Sequence, residues 1–222
     1  MTKLINFILD FLFPKFCEFC GIKGSYICLE CEKTKFEYYQ EHECHVCRKR
    51  CGEGYVHKSC TSKTDLDGAF YQLKYTANVK RILQQFKFNF YSSYVEDIAR
   101  VLNRKFIKLS LQFDLLVAIP LHRKRSWERG FNQSELLIKA LGYQASKCLI
   151  RIRNTPCQSN LKREERLINL KNAFKISENV RGKSILLVDD VITTGSTLEE
   201  CAAVLKLHGA RAVYGLCWAR GE

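Results

Sequence analysis

The stretch from Ile185 to Thr197, Ile-Leu-Leu-Val-Asp-Asp-Val-Ile-Thr-Thr-Gly-Ser-Thr, constrains the fold more than any other. Ile185 to Val188 is a continuous apolar run, too short for a buried helix and suited to a strand covered on both faces, as in a parallel α/β sheet. The run stops at Asp189 and Asp190. A loop of small and hydroxyl residues follows, Thr193-Thr194-Gly195-Ser196-Thr197, before Leu198, Ala202 and Leu205 take up helical spacing. Strand, loop and helix N-terminus together make an anion cradle: first-turn amides and the helix dipole favour negative charge, and Gly195 takes a Cβ out of the approach. The spacing matches neither G-x-x-x-x-G-K-[ST] nor G-x-G-x-x-G, which excludes a Walker A loop and the dinucleotide fingerprint. Carboxylates at the strand's end can accept hydrogen bonds from vicinal hydroxyls, so the stretch reads as a seat for a ribose 5′-phosphate.

The two acids followed by Thr-Thr-Gly-Ser-Thr resemble the phosphoribosyl pyrophosphate (PRPP) signature of type I phosphoribosyltransferases. That resemblance implies that Asp189 and Asp190 take the ribose hydroxyls and that Thr193, Thr194, Gly195, Ser196 and Thr197 take the 5′-phosphate. Mg²⁺ would bridge ribose and pyrophosphate oxygens, held largely by substrate and water.

Cysteine spacing sets a second constraint. Eight of the 12 cysteines fall between residues 17 and 60, mostly in C-x-x-C pairs, a pattern for metal rather than for a disulfide scaffold. Cys17, Cys20, Cys28 and Cys31 make one complete thiolate set for structural Zn²⁺, with Gly21 and Gly24 where a tight turn falls. In the second set Cys44, Cys47, Cys51, His57 and Cys60 compete for four places. Cys44, Cys47, His57 and Cys60 are favoured because His57-x-x-Cys60 keeps the two-residue spacing, leaving Cys51 spare. Arg48-Lys49-Arg50 suits a nucleic-acid contact or a solvated turn. The formal charge of +13 over 222 residues favours polyanionic partners. Leu4 to Phe13 reads as an apolar helix ending at Pro14, too short to span a bilayer and without a cleavage signal, either docking on a surface or packing on the zinc segment.

From Asp65 the pattern changes. Phe70 to Tyr75 alternates as a strand; Val79, Ile82, Leu83 and Phe86 have helical spacing, as do Val95, Ile98, Ala99, Leu102 and Phe106, with Lys80, Arg81 and Lys87 expected on solvated faces. Leu115 to Ile119 is expected to be a central parallel strand. The basic loop after it, with Leu121, His122, Arg123 and Lys124, would lie at the same sheet edge as the phosphate seat. A type I phosphoribosyltransferase places its pyrophosphate loop there. Pro120-Leu121, then Arg129-Gly130-Phe131-Asn132-Gln133, then the acid pair, all behind paired zinc motifs, resemble the ComF family over nearly the whole chain. The cysteine that family members often carry stands as His57 here.

The expectation is therefore an α/β type I phosphoribosyltransferase fold, a mainly parallel sheet flanked by helices, over residues 65–222, with a small N-terminal double zinc ribbon over 15–64 and the apolar helix over 1–14. The ComF resemblance implies a competence protein that binds PRPP and handles or imports single-stranded DNA. It would act in the cytoplasm or at the inner face of the membrane without stable insertion, beside DNA-uptake proteins such as a helicase. The alternative is an active phosphoribosyltransferase with an unidentified base or amine acceptor. Asp190 and Arg166, in the polar segment 154–172 that matches a mobile closing loop, are the residues assigned to catalysis. Ammonia release from glutamine is not expected, since Met1 is followed by Thr2.

Overall fold

The computed structural model describes residues 14–41, 43–52, 54–88, 94–106, 111–154 and 172–221. The apolar helix expected before Pro14 and the segment carrying Arg166 lie outside them. A short helix α1 (Leu29–Lys35) and a 3₁₀ turn (Lys58–Lys63) sit in the cysteine-rich segment. After them come β1 (Gly68–Lys74), α2 (Ala77–Phe88), α3 (Tyr94–Phe106), β2 (Leu115–Ala118), α4 (Arg123–Arg129) and α5 (Gln133–Ala140). The chain closes with β3 (Leu149–Arg151), β4 (Phe174–Ile176), β5 (Ser184–Ile192), α6 (Ser196–Leu207) and β6 (Ala212–Arg220).

β1, β6, β5 and β2, in that order, form a wholly parallel sheet; β3 and β4 make a separate antiparallel pair. Alternation along β5 sorts the core into two layers. Leu186 and Val188 pack with α2, α3 and α5, while Ile185 and Leu187 pack with α6 and the β3–β4 pair. Covered on both faces, β5 needs the unbroken apolar run that the sequence shows. β2, expected at the centre, ends the sheet, and among the described residues its outer edge is met only by a bridge from Val117 to Ser146. An apolar run reports coverage of both faces and is silent about neighbours in the hydrogen-bonding direction.

The free edge of β1 is closed by the cysteine-rich segment. Tyr38 bridges Leu73 and Tyr55 bridges Gly68, and Tyr39 N donates to Gln72 O at 2.9 Å. An uncovered edge strand is a template for aggregation, so this pairing has structural value of its own. It also explains why β1, which alternates in sequence, is buried on both sides from Gly68 to Leu73.

Ile27 and Phe36 enter the same core layer as α2 and α3, and a charged cluster fixes them there. Arg100 of α3 pairs with the fully buried Glu32 of α1 and donates to Ile27 O at 2.6 Å and to Asp97 at 2.9 Å. Asp97 accepts in turn from the amides of Tyr26 and Ile27. Arg100→Met takes the guanidinium away from the buried Glu32 carboxylate, while Tyr38 Oη still donates to it. The substitution should cost about 2 kcal/mol in urea unfolding. Arg81→Ala, which breaks the exposed pair with Glu18, should cost under about 1 kcal/mol.

Candidate functional site

Asp189 and Asp190 lie in the last four residues of the central strand, and the pleat turns them to opposite faces. Asp190 points into the α2 layer, where its Oδ2 is paired with the Lys87 ammonium. Asp189 Oδ1 accepts from the Asp190 amide at 2.9 Å and from Ser134 Oγ at 3.5 Å. Burial pushes the Asp189 carboxyl well above the usual carboxylate range, and the charge on Asp190 adds to the shift. Burial opposes ionisation of Asp190 too, but Lys87 outweighs it and holds that carboxyl below its ordinary range. Lys87, half-buried, is raised by the same partner against the pull of its own desolvation. The pair is thus polarised, with one acid ionised against an ammonium and its neighbour favouring its proton.

A cavity of 430 Å³ opens over these acids. Lys80, Lys87, Arg125, Arg129 and Arg151 supply its cations, Thr193 and Thr197 its hydroxyls, and Tyr75, Leu83 and Leu121 much of its apolar wall. Lys87 is thus drawn into the site rather than left on a solvated face, while Lys80, exposed as expected, also lines the cavity. Lys80, Leu83, Gln84 and Lys87 follow the i, i+3, i+4, i+7 pattern of one helix stripe, the signal that could have found them. Arg81 is on a solvated face as expected and bridges there to Glu18.

The basic loop after β2 is divided by becoming a helix. Ile119 N still bonds Val188 O at 3.0 Å, so the chain leaves the sheet level with the acid pair. His122 then caps α4, its Nδ1 accepting from Lys124 N. Side chains on a helix turn by about 100° per residue, and the loop's cations part accordingly. Of the four expected residues Leu121 lines the cavity over the acids, His122 and Arg123 line the cavity beyond it, and Lys124 lines neither. Arg125 and Arg129, four apart, face the acids instead.

The phosphate-seat expectation meets a compact loop. Gly195 caps α6 at φ +79°, a conformation that favours glycine, and Thr194 Oγ1 lies 2.9 Å from Ser196 Oγ and accepts from its amide. An ideal Cβ at Gly195 would meet nothing in the protein closer than 3.7 Å, so the backbone angle is the protein's own reason for glycine here. One turn into α6, Glu199 accepts from Thr64 Oγ1, from His45 Nε2 at 2.7 Å and from the Asp65 amide at 3.2 Å. His45 sits between Cys44 and Cys47, so the cysteine-rich segment grips the helix that begins at the phosphate loop.

Both cysteine sets come together. The ligand atoms of Cys17, Cys20, Cys28 and Cys31, and those of Cys44, Cys47, His57 and Cys60, each lie within 4.8 Å of one another. His57 Nε2 donates to Arg50 O at 3.0 Å, which leaves Nδ1, 3.2 Å from Cys47 Sγ, as the ligand atom. Cys51 stands outside the set. The two turns are alike: Gly21 N bonds Cys17 O and Arg48 N bonds Cys44 O, each at 2.9 Å, and both residues have positive φ, 73° and 63°. Arg48 accepts in the second turn the backbone strain that glycine avoids in the first.

The description "Phosphoribosyl transferase domain" fits residues 132–219, the stretch holding α5, the acid pair and the phosphate loop. The DNA utilization protein YhgH of Escherichia coli K12 is 37% identical over 157 residues, 66% of this chain and 69% of that protein. Competence protein F of Haemophilus influenzae is 29% identical over 209 residues, covering 88% and 81%. Competence protein ComFC of Bacillus subtilis is 30% identical over 205 residues, 89% of this chain and 80% of that one. With a type I phosphoribosyltransferase core, two four-ligand cysteine sets and relatives matched along most of its length, the chain belongs to the competence protein F (ComF/ComFC) family.

Proposed function

We propose that the chain binds PRPP in the cavity over Asp189 and Asp190 and assists the handling or import of single-stranded DNA in natural transformation. The observation that carries the first half is one cavity at the carboxyl edge of a parallel sheet that joins an acid pair to five cations. Asp190, kept ionised by Lys87, and Asp189 accept from the ribose hydroxyls. The loop Thr193 to Thr197 and the first turn of α6 seat the 5′-phosphate. Arg125, Arg129, Arg151 and Lys80 stand where a diphosphate's charge can be met. Mg²⁺ fits this oxygen-rich surround through the ligand and water, and would supply charge neutralisation at the diphosphate. The second half rests on the competence and DNA utilization proteins named above and on the charge of +13.

The two cysteine sets suit structural Zn²⁺, four-coordinate with no open position, within a unit of residues 15–64 beside a phosphoribosyl-binding unit of 65–222. A cytoplasmic location beside other DNA-uptake proteins, such as a helicase, fits this reading; among the described residues no helix is long and apolar enough to cross a membrane. An active transferase is the second reading, favoured by Tyr75, Leu83 and Gln84 on the same cavity wall, where a planar base or an amine acceptor has room. In that case Asp190 would steady the ribose as charge builds at the anomeric carbon, and the protein would contribute position and electrostatics. Release of pyrophosphate dependent on one added base or amine identifies that reading.

Asp189→Asn with Asp190→Asn should abolish calorimetric binding of PRPP with Mg²⁺ while the circular dichroism spectrum stays that of the parent; unchanged affinity would place the ribose elsewhere. Because the folded protein raises the Asp189 pKa, the acid gains the charge that strengthens a hydrogen bond from a ribose hydroxyl only as its proton leaves. PRPP affinity should therefore climb as pH rises through the raised pKa and level off above it. Asp189→Asn alone should flatten that dependence, with the ligand's own titration common to both proteins. A mercurial should release two zinc ions per chain from the parent and from Cys51→Ser, matching the two ligand sets, and one from His57→Ala; a single ion from Cys51→Ser would exchange the two assignments.

A further inference from the structure

Helix α4 is a partition between two cavities. Arg125 and Arg129 face the acid pair; Arg123, Ser126 and Gly130 face a larger cavity of 670 Å³ on the other side. Leu121 and Arg151 line both. The larger cavity is basic, with Arg123, Lys147 and Arg151 against the lone acid Glu135. Its surroundings are also unusually apolar for an exposed surface: Ile150 and Ile152 on and just after β3 are 41% and 52% exposed. Trp127, one turn beyond Arg123 on α4, is 87% exposed. A tryptophan commonly buries most of its ring, as Trp218 does completely in the core.

Cations and aliphatic side chains in the cavity wall, with an open indole ring one turn along α4 from Arg123, suit a ligand that carries charge along a backbone and presents flat unpaired rings beside it. A duplex keeps its bases stacked on each other and offers the indole nothing. An acidic peptide would use the charge and leave the ring idle. The geometry points to this groove as a seat for single-stranded nucleic acid, with Arg123 and Lys147 in its wall meeting phosphates and Trp127, outside the cavity and one turn along α4, as a stacking platform for a base that leaves it. The assignment rests on the DNA-handling reading above and adds where the strand lies: on the face of α4 turned away from the phosphoribosyl cavity.

The test uses the full chain and a fluorescein-labelled oligothymidylate of about twenty nucleotides, long enough to span one such groove. Anisotropy should report salt-dependent binding, and the oligonucleotide should quench tryptophan emission. Trp218 is fully buried, so the quenching reports Trp127. Trp127→Ala should weaken binding roughly tenfold and remove the quenching, with calorimetric PRPP binding unchanged; Trp127→Phe should keep most of the affinity. If the parent binds the oligonucleotide but Trp127→Ala binds it equally well and no quenching occurs, the strand lies elsewhere and this groove is overturned while DNA handling stands. If the parent does not bind it at all, both fall. Equal competition by polyglutamate at matched charge, with no fluorescence change, would make the face a site for acidic protein and overturn the proposal.

Discussion

The arrangement depends on the cost of holding two adjacent carboxylates near the carboxyl end of a buried strand. Like charges on neighbouring residues repel more strongly as the surroundings become less polar, and β5 is covered on both faces up to the acids. The pleat separates the two side chains, and Lys87 from α2 neutralises one of them. That ion pair fixes the position of α2 over the carboxyl edge, and α2 is the wall that turns an open sheet edge into a cavity. The proposed site for an anionic sugar thus begins with a lysine that answers the protein's own acids.

α4 extends the same economy of parts. Seven residues carry cations on more than one side, and the helix leaves the sheet at the level of the acid pair. A flexible basic loop could concentrate all its charges on one ligand at the entropic cost of ordering itself. A helix cannot do so, because its geometry distributes consecutive side chains around an axis. The outcome is a pre-formed divider with Arg125 and Arg129 on one face and Arg123 on another, which a reading of the loop as one pyrophosphate-binding unit does not foresee.

Much of this was legible in the residues. The central strand, the acid pair, the glycine-capped helix and both metal-ligand sets follow from runs and spacings of fewer than about twenty residues, and local chemistry decides such features. What the sequence hid is non-local. Lys87 lies 103 positions before Asp190, and nothing near Lys87 marks it as the partner of an acid. The edge position of β2 was hidden for a related reason: hydrophobicity records what covers a strand's faces, and strand order is set by where the connections run. Glu199 reads as an ordinary first-turn acid of a helix until Thr64 and His45 are brought to it.

The cysteine-rich segment is the part whose role changes most once it is folded. As a sequence it is a self-contained metal module. As a structure it closes the β1 edge through Tyr38, Tyr39 and Tyr55, lends Ile27 and Phe36 to the main core, and holds Glu199 at the first turn of the phosphate-loop helix. A segment of about fifty residues has little apolar core of its own, so whatever free energy its metal ligands supply is passed to the sheet through these contacts. Glu199 is the last link in that chain. Its carboxylate is tied to the loop between Cys44 and Cys47, and its amide bonds Gly195 O at 2.9 Å, at the residue whose left-handed backbone caps α6. The integrity of the second ligand set and the geometry of the phosphate loop are therefore connected through one helical turn.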